Sequence, residues 1–385
     1  MNTYRFLICF ALGLSATVAV GLARFAYALI LPAMRESFAW SYVEAGALNA
    51  VNAAGYLVGA LVASRIIAKF GTVPTFIAGT AITSLTVLLT ASADLYAALL
   101  VLRLLPGIFG AIAFIAGGVL ATHVASHLGP RASLAIGFFY AGPGVGIVIS
   151  GAVVPPLLMG APANWPLAWI GLGAASLVLT GIAALAVRYA GEPGAETTDS
   201  GTDRNVSLTP ALISYTLYAA GYIGYMTFII VSVRESGGTT LQASLWWVIL
   251  GIASVVSFFL WQRVLAAGNG RSLGLLTGAT GIAALLPVID NSPLLLLLSF
   301  ALFGATFLVV VAATTNLVRL ARAPDRWPQW IGYFTIAFGL GQTVGPIVGG
   351  LAADILDNSD GVLWVSAALL IAGGFAALLQ RNVKA

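Results

Sequence analysis

Charge is scarce in this chain. Asp, Glu, Lys and Arg make up only 8% of its 385 residues, against about 25% in a typical soluble domain. So few polar groups cannot cover a surface in water. That excludes a water-soluble protein, a disordered chain and a nucleic-acid binder. Cysteine is almost missing as well: Cys9 stands alone, which excludes a disulfide framework and any Cys-based zinc site. The two histidines, His123 and His127, lie one helical turn apart with no Cys or acid beside them in sequence, too few ligands for a metal. There is no Walker motif, so ATP-driven pumping has no support. The glycine run Gly142-Pro143-Gly144-Val145-Gly146 lies inside an apolar stretch with no strand before it, so it is not a nucleotide loop. No nucleophile–base pattern points to an enzyme, and no cofactor is expected.

What the chain has is long apolar runs. Hydrophobic residues make up 60% of it, and the mean hydropathy is +1.00. The runs continue for about twenty residues or more, the length of a spanning helix. The short alternating segments of a β-barrel are not seen. Twelve spans are predicted, at 6–32, 43–64, 72–92, 95–122, 132–159, 165–188, 208–233, 241–262, 272–290, 293–318, 328–355 and 361–380. Turn chemistry separates them, as at Phe70-Gly71-Thr72, Gly129-Pro130-Arg131 and Asn291-Ser292-Pro293. The N-terminal run is too long for a signal-peptide core and is read as the first span. Residues 190–207 are polar and rich in Gly, Ser and Thr, and they read as a flexible cytoplasmic linker. The expected fold class is therefore an all-α polytopic membrane protein. Its expected halves are 1–189 and 208–385, each a six-helix bundle.

Basic residues set the orientation. With both termini cytoplasmic, the inner segments hold thirteen Lys and Arg, among them Arg65, Lys69, Arg131, Arg319, Arg322 and Arg326, while the outer segments hold only Arg35 and Arg234. The sequence also repeats itself. Gly142-Pro143-Gly144-Val145-Gly146 in span five matches Gly345-Pro346-Ile347-Val348-Gly349 in span eleven, and Arg35-Glu36-Ser37 matches Arg234-Glu235-Ser236. Nearly constant offsets of about 200 residues point to a parallel duplication, with a site near the midplane between the halves.

These features together resemble the major facilitator superfamily, over the whole chain. Arg103-Leu104-Leu105-Pro106-Gly107-Ile108-Phe109-Gly110-Ala111 looks like its fourth-helix Arg-x-x-x-Gly-x-x-x-Ala motif. The Gly-Pro segments of spans five and eleven look like its fifth-helix motif, which is associated with antiporters. The physical alternative is that Gly and Pro let helices pack closely and bend. The superfamily's loop motif after span two reads Gly59-Ala60-Leu61-Val62-Ala63-Ser64-Arg65 here, without its Asp. Within the superfamily, the N-terminal third resembles the YbfB/YjiJ-like branch, through Gly21-Leu22-Ala23-Arg24-Phe25-Ala26-Tyr27, Leu31-Pro32-Ala33-Met34, Leu48-Asn49, Asn52 and Gly55-Tyr56-Leu57. The resemblance implies a secondary carrier of the bacterial inner membrane, acting as a functional monomer with the lipid bilayer around it.

Ionisable groups inside the spans carry the functional expectation. An Arg at the bilayer centre costs about 2.5–3.5 kcal/mol on insertion scales. Arg24 lies eight residues before Pro32, and Arg103 eight residues after residue 95, so both sit about 12 Å below the outer surface at 1.5 Å per residue. All thirteen acids fall in loops or at helix ends. Either an anionic substrate supplies the counter-charge, or Arg103 bonds backbone carbonyls of a neighbouring helix and Glu44 neutralises Arg24. Asn49, Asn52 and Tyr56 share one face of span two and are candidates for cavity lining, with interhelical hydrogen bonding as the competitor. Tyr215, Tyr218, Tyr222 and Tyr225 make a continuous stripe on span seven. Its hydroxyls are expected in a cavity opposite Arg24, with ordinary packing as the competitor. Tyr27, Tyr140, Trp247, Thr314, Tyr333 and Gln342 complete the candidate substrate-binding set.

The expected function is secondary transport of a small, carboxylate-like organic anion, by export or exchange, since no acid is embedded for proton coupling. The runner-up is a multidrug or lipophile exporter. A sensor or scaffold on a transporter fold is the reading from another class.

Overall fold

The computed structural model describes residues 2–159, 161–192, 204, 206–323 and 326–381. Most of the expected linker, 193–203 and 205, lies outside the described residues. Among the described residues there is no strand. Twelve helices among the described residues are long and apolar enough to cross a membrane: Thr3–Phe38, Tyr42–Phe70, Thr72–Ser92, Tyr96–Ser126, Leu134–Leu158, Pro162–Val187, Thr209–Glu235, Thr240–Leu260, Gly270–Ile289, Pro293–Ala321, Gln329–Leu356 and Asp360–Leu378. They are numbered here as spans one to twelve. Helices are what a spanning chain without a closed barrel must form, because each satisfies its own backbone hydrogen bonds.

Several helices outrun their apolar stretches. Span one continues through Pro32 and the polar Arg35-Glu36-Ser37 until Ala39, at φ 53°, turns left-handed. Span two continues past Arg65 and Lys69 until Gly71, at φ 87°, breaks it. Hydropathy marks the length that suits lipid, whereas the hydrogen-bond ladder ends only where the backbone turns. Arg35 and Arg234 of the repeated triplets both lie in the last turn of a helix, where a cation complements the helix dipole.

The chain forms two compact units. The first comprises Met1–Trp40, Ala47–Gly194 and Thr239–Gly251; the second comprises Ser41–Gly46, Ala195–Gly238 and Ile252–Ala385. In the first, span five packs on span one backbone to backbone. A Cβ on Gly21 would lie 2.5 Å from Gly146 Cα, and one on Gly146 would lie 2.6 Å from Gly21 Cα. Thr17 Oγ1 donates to the Gly142 carbonyl at 2.9 Å. In the second unit one of the two matching glycines of span eleven plays the same part. Gly345 abuts the span-seven backbone at Ala220, and Gly341, one turn earlier, abuts it at Thr216, whereas Gly349 faces Val362 of span twelve. The repeated Gly-Pro segments are thus close-packing surfaces for the first helix of their own unit, as small residues allow in lipid.

The piece Ser41–Gly46 belongs to the second unit although most of its helix belongs to the first. The Asp354 carboxylate accepts the N–H groups of Tyr42 at 2.7 Å and Val43 at 3.1 Å, and the Tyr42 hydroxyl donates to Glu235 at 2.5 Å. Ser41 and Glu44 form a reciprocal capping box, at 2.9 and 3.1 Å. Glu44 is exposed, and its carboxylate caps its own helix.

Candidate functional site

The polar centre of the first unit grows out of a break in span one. Residues Thr17–Phe25 wind as a π-helix between the α-helical stretches Asn2–Ala16 and Tyr27–Phe38. Such windings are rare and frequent at functional sites, because they re-aim side chains and backbone carbonyls. Gly21 lies in this stretch, where the Gly146 backbone leaves no room for a side chain. Arg24 follows at its C-terminal end and is 3% exposed. Its guanidinium carbon stands 5.4 Å from the centre of the Tyr56 ring on span two, a distance at which the ring's negative face attracts a cation.

Arg103 enters from span four and is 1% exposed. Its Nη1 donates to the carbonyl of Ala23, inside the π-helical stretch, at 2.5 Å, and its Nη2 approaches Asn49 Oδ1 at 3.4 Å. The guanidinium lies over Tyr27, at 4.9 Å, and Trp169, at 5.5 Å. Asn52 Nδ2 donates to the Arg103 carbonyl at 2.9 Å. Glycines bring the two helices close enough for this. Gly107 abuts the Asn52 carbonyl, Gly55 the Leu104 carbonyl and Gly59 the Ile108 carbonyl. The Arg-x-x-x-Gly spacing therefore sets the Arg103 side chain one turn from the point of closest approach. No carboxylate is buried among the described residues, so this centre is cationic.

The polar interior of the second unit is of another kind. Tyr215, Tyr218, Tyr222 and Tyr225 are all buried. Tyr218 and Tyr222 stack at 5.0 Å, and Phe338 stacks on Tyr215 at 4.9 Å and on Tyr222 at 5.8 Å. Tyr225 lies flat on Phe303 at 3.9 Å. The hydroxyls are engaged within the unit. Tyr218 donates to the Phe307 carbonyl, Gln342 donates to the Tyr222 oxygen, and Tyr225 pairs with Ser299 at 2.8 Å. No Lys or Arg of this unit is buried among the described residues.

A family described as "Uncharacterised MFS-type transporter YbfB" matches residues 16–378. The chain belongs to this family. Comparison with curated proteins gives no match. Among solved structures, the chain is similar to the nucleoside transporter NupG, in a crystal structure of an Asp-to-Ala mutant. The TM-score is 0.72 at 13% identity, covering 96% of this chain and 99% of that one. At that identity the likeness establishes the fold: an all-α membrane protein of twelve spanning helices with the major facilitator architecture. As a member of a transporter family the protein is a carrier by class.

Measured against the sequence, six of the expected site residues of this YbfB-family member come together in one cluster: Arg24, Tyr27, Asn49, Asn52, Tyr56 and Arg103. Tyr218, Tyr222, Tyr225 and Gln342 form a second. The remainder stand apart. Trp247 donates its indole N–H to Ser150 at 3.1 Å. Thr314 donates to the Val310 carbonyl of its own helix at 2.9 Å. Tyr140 is 39% exposed against Phe114, and Tyr333 is 45% exposed and accepts from Gln329. Sequence reasoning missed Trp169, a fully buried ring beneath Arg103, and the Ala23 carbonyl. A tryptophan in an apolar run carries no periodic signal, and which carbonyl a distant arginine reaches is invisible in sequence.

Proposed function

We propose that this protein is a secondary transporter for a small organic anion of carboxylate type, with Arg24 as its anchor. The observation that carries the reading is the pair of buried guanidiniums in the first unit, among described residues that bury no carboxylate. Removing cations from water is costly, and an anionic substrate offsets that cost at the moment it binds. Arg24, held under the Tyr56 ring at the end of the π-helical stretch, binds the charge. Arg103, bonded to the Ala23 carbonyl, steadies the backbone that carries Arg24. Asn49, Asn52 and Tyr27 complete the polar surround, and the halves 1–189 and 208–385, joined by the linker, rock in alternating access. The protein works as a monomer in the bacterial inner membrane with both termini cytoplasmic, as the bias of its basic residues supports.

Direction follows from the membrane field. One charge crossing 100 mV is worth about 2.3 kcal/mol, so an interior-negative membrane drives an anion out. Proton coupling normally uses an embedded acid or histidine. The described spans bury neither, so the mode is export or anion exchange.

The test is ligand-induced thermal stabilisation of the purified protein across carboxylates, nucleosides and lipophilic cations, beside Arg24→Ala. A saturating ligand raises stability by RT ln(1 + [L]/Kd). Carboxylates should stabilise the native protein and lose that effect in the variant. Stabilisation by carboxylates that is equal in a well-folded Arg24→Ala protein would overturn the anchor. One observation favours a second reading, the export of lipophilic compounds: the stacked wall of Tyr215, Tyr218, Tyr222 and Phe338 in the second unit. Stabilisation by lipophiles alone would select it. Stabilisation by nucleosides alone would bring the substrate of the structural neighbour to this chain.

A further inference from the structure

Apart from Arg234, the second unit is divided in charge along its helices among the described residues. At one end, four segments meet. The Arg204 N–H donates to the Ala321 carbonyl at 3.1 Å, and Gln380 Nε2 to the Ser207 carbonyl at 2.9 Å. Asn316 Nδ2 donates to the Leu265 carbonyl at 2.7 Å. This end carries Arg204, Arg263, Arg271, Arg319, Arg326 and Arg381, all exposed. The acids of the unit among the described residues, such as Glu235, Asp290, Asp354 and Asp360, lie at the other ends of the same helices. Every described cation at this end is an arginine, the side chain whose planar fork matches two phosphate oxygens.

Two further features separate this end from a merely charged rim. First, tryptophans hold the guanidiniums. Arg319 lies over the Trp327 ring at 5.4 Å, and the Trp327 indole is fixed by its N–H bond to the Arg322 carbonyl at 2.8 Å. Arg322 lies over Trp330 at 4.3 Å, with its nitrogens engaged by the carbonyls of Arg204, Ala321 and Val206. Arg322 therefore builds the platform, while Arg319 faces outward from it. Second, exposed apolar side chains lie close to the arginines in sequence. Leu260 is 62% exposed three residues before Arg263, and Leu379 is 75% exposed two residues before Arg381. Fixed cations above an apolar band match a ligand with a phosphate head and hydrocarbon tails, and tryptophan is the residue of that interface.

We infer that this end of the second unit binds anionic phospholipid, with Arg319 and Arg263 gripping the headgroup phosphate and the apolar rim taking the acyl chains. The inference is independent of the substrate reading. The experiment compares lipids retained by the purified protein in native mass spectrometry, phosphatidylglycerol against phosphatidylcholine, for the native chain and for Arg263→Gln/Arg319→Gln. Two surface arginines suffice for a preference of about tenfold for phosphatidylglycerol, which the double variant should lose. The unfolding temperature in phosphatidylcholine reports whether the variant is folded; if it falls, Arg263→Gln/Arg271→Gln, which leaves the tryptophan platform intact, takes its place and should lower the preference likewise. Equal retention of the two lipids by the native protein, or an undiminished preference in a folded variant, would overturn the inference. So would displacement of the lipid by millimolar inorganic phosphate, which would make this a site for a free anion.

Discussion

The two units solve one packing problem alike and fill their interiors differently. In each, glycines in or just before a Gly-Pro segment press one helix backbone against another: Gly142 and Gly146 of span five on span one, Gly341 and Gly345 of span eleven on span seven. In the first unit the polar interior is cationic, with Arg24 and Arg103 over aromatic rings. In the second it is neutral, a tyrosine stack whose hydroxyls are closed by Phe307, Ser299 and Gln342. The two units share a contact that steric exclusion dictates and differ in the side chains around it. Shape is shared between the units, and charge is not.

The comparison breaks most severely at the shared contact. Gly21→Leu and Gly345→Leu each force a side chain into a facing backbone. Each should cost about 3 kcal/mol, the upper part of the overpacking range, and cut the yield of monodisperse protein. If Gly345→Leu were harmless while Gly21→Leu was not, the equivalence of the two contacts would fail. Next come the arginines. Arg103→Ala removes a charged hydrogen bond to the Ala23 carbonyl and should cost about 2 kcal/mol, read as a lower unfolding temperature with or without ligand. Arg24→Ala should abolish stabilisation by carboxylates in a protein that still folds. An Arg103→Ala protein as stable as the native chain would remove its positioning role. The smallest effects belong to the second unit. Tyr218→Phe and Tyr225→Phe each delete one neutral hydrogen bond and should cost about 1 kcal/mol, with carboxylate binding unchanged. Loss of that binding in either variant would make the tyrosine stack part of the anion site and erase the contrast.

Much of this was legible in the residues. Apolar length located every one of the twelve helices, because the bilayer demands a fixed thickness of hydrocarbon-compatible chain. The ends of spans one and two were misjudged by several residues, because helices continue through polar turns outside the apolar run. The cluster around Arg24 was legible because an arginine in an apolar run is too costly to lack a reason. Tyr140 and Tyr333 stand apart from both clusters, at 39% and 45% exposed, as a tyrosine in a span can do at little cost.

The sequence by itself therefore determined the number of helices and the presence of two cations inside the spans, since each follows from composition along a line. Tertiary structure alone decided what those cations do. The π-winding of Thr17–Phe25, the backbone contact of Gly21 with Gly146 and the reach of Arg103 to the Ala23 carbonyl join residues about 80 to 125 positions apart in the chain. Close packing of backbones depends on which glycines face each other in space, and no pattern along one helix records that.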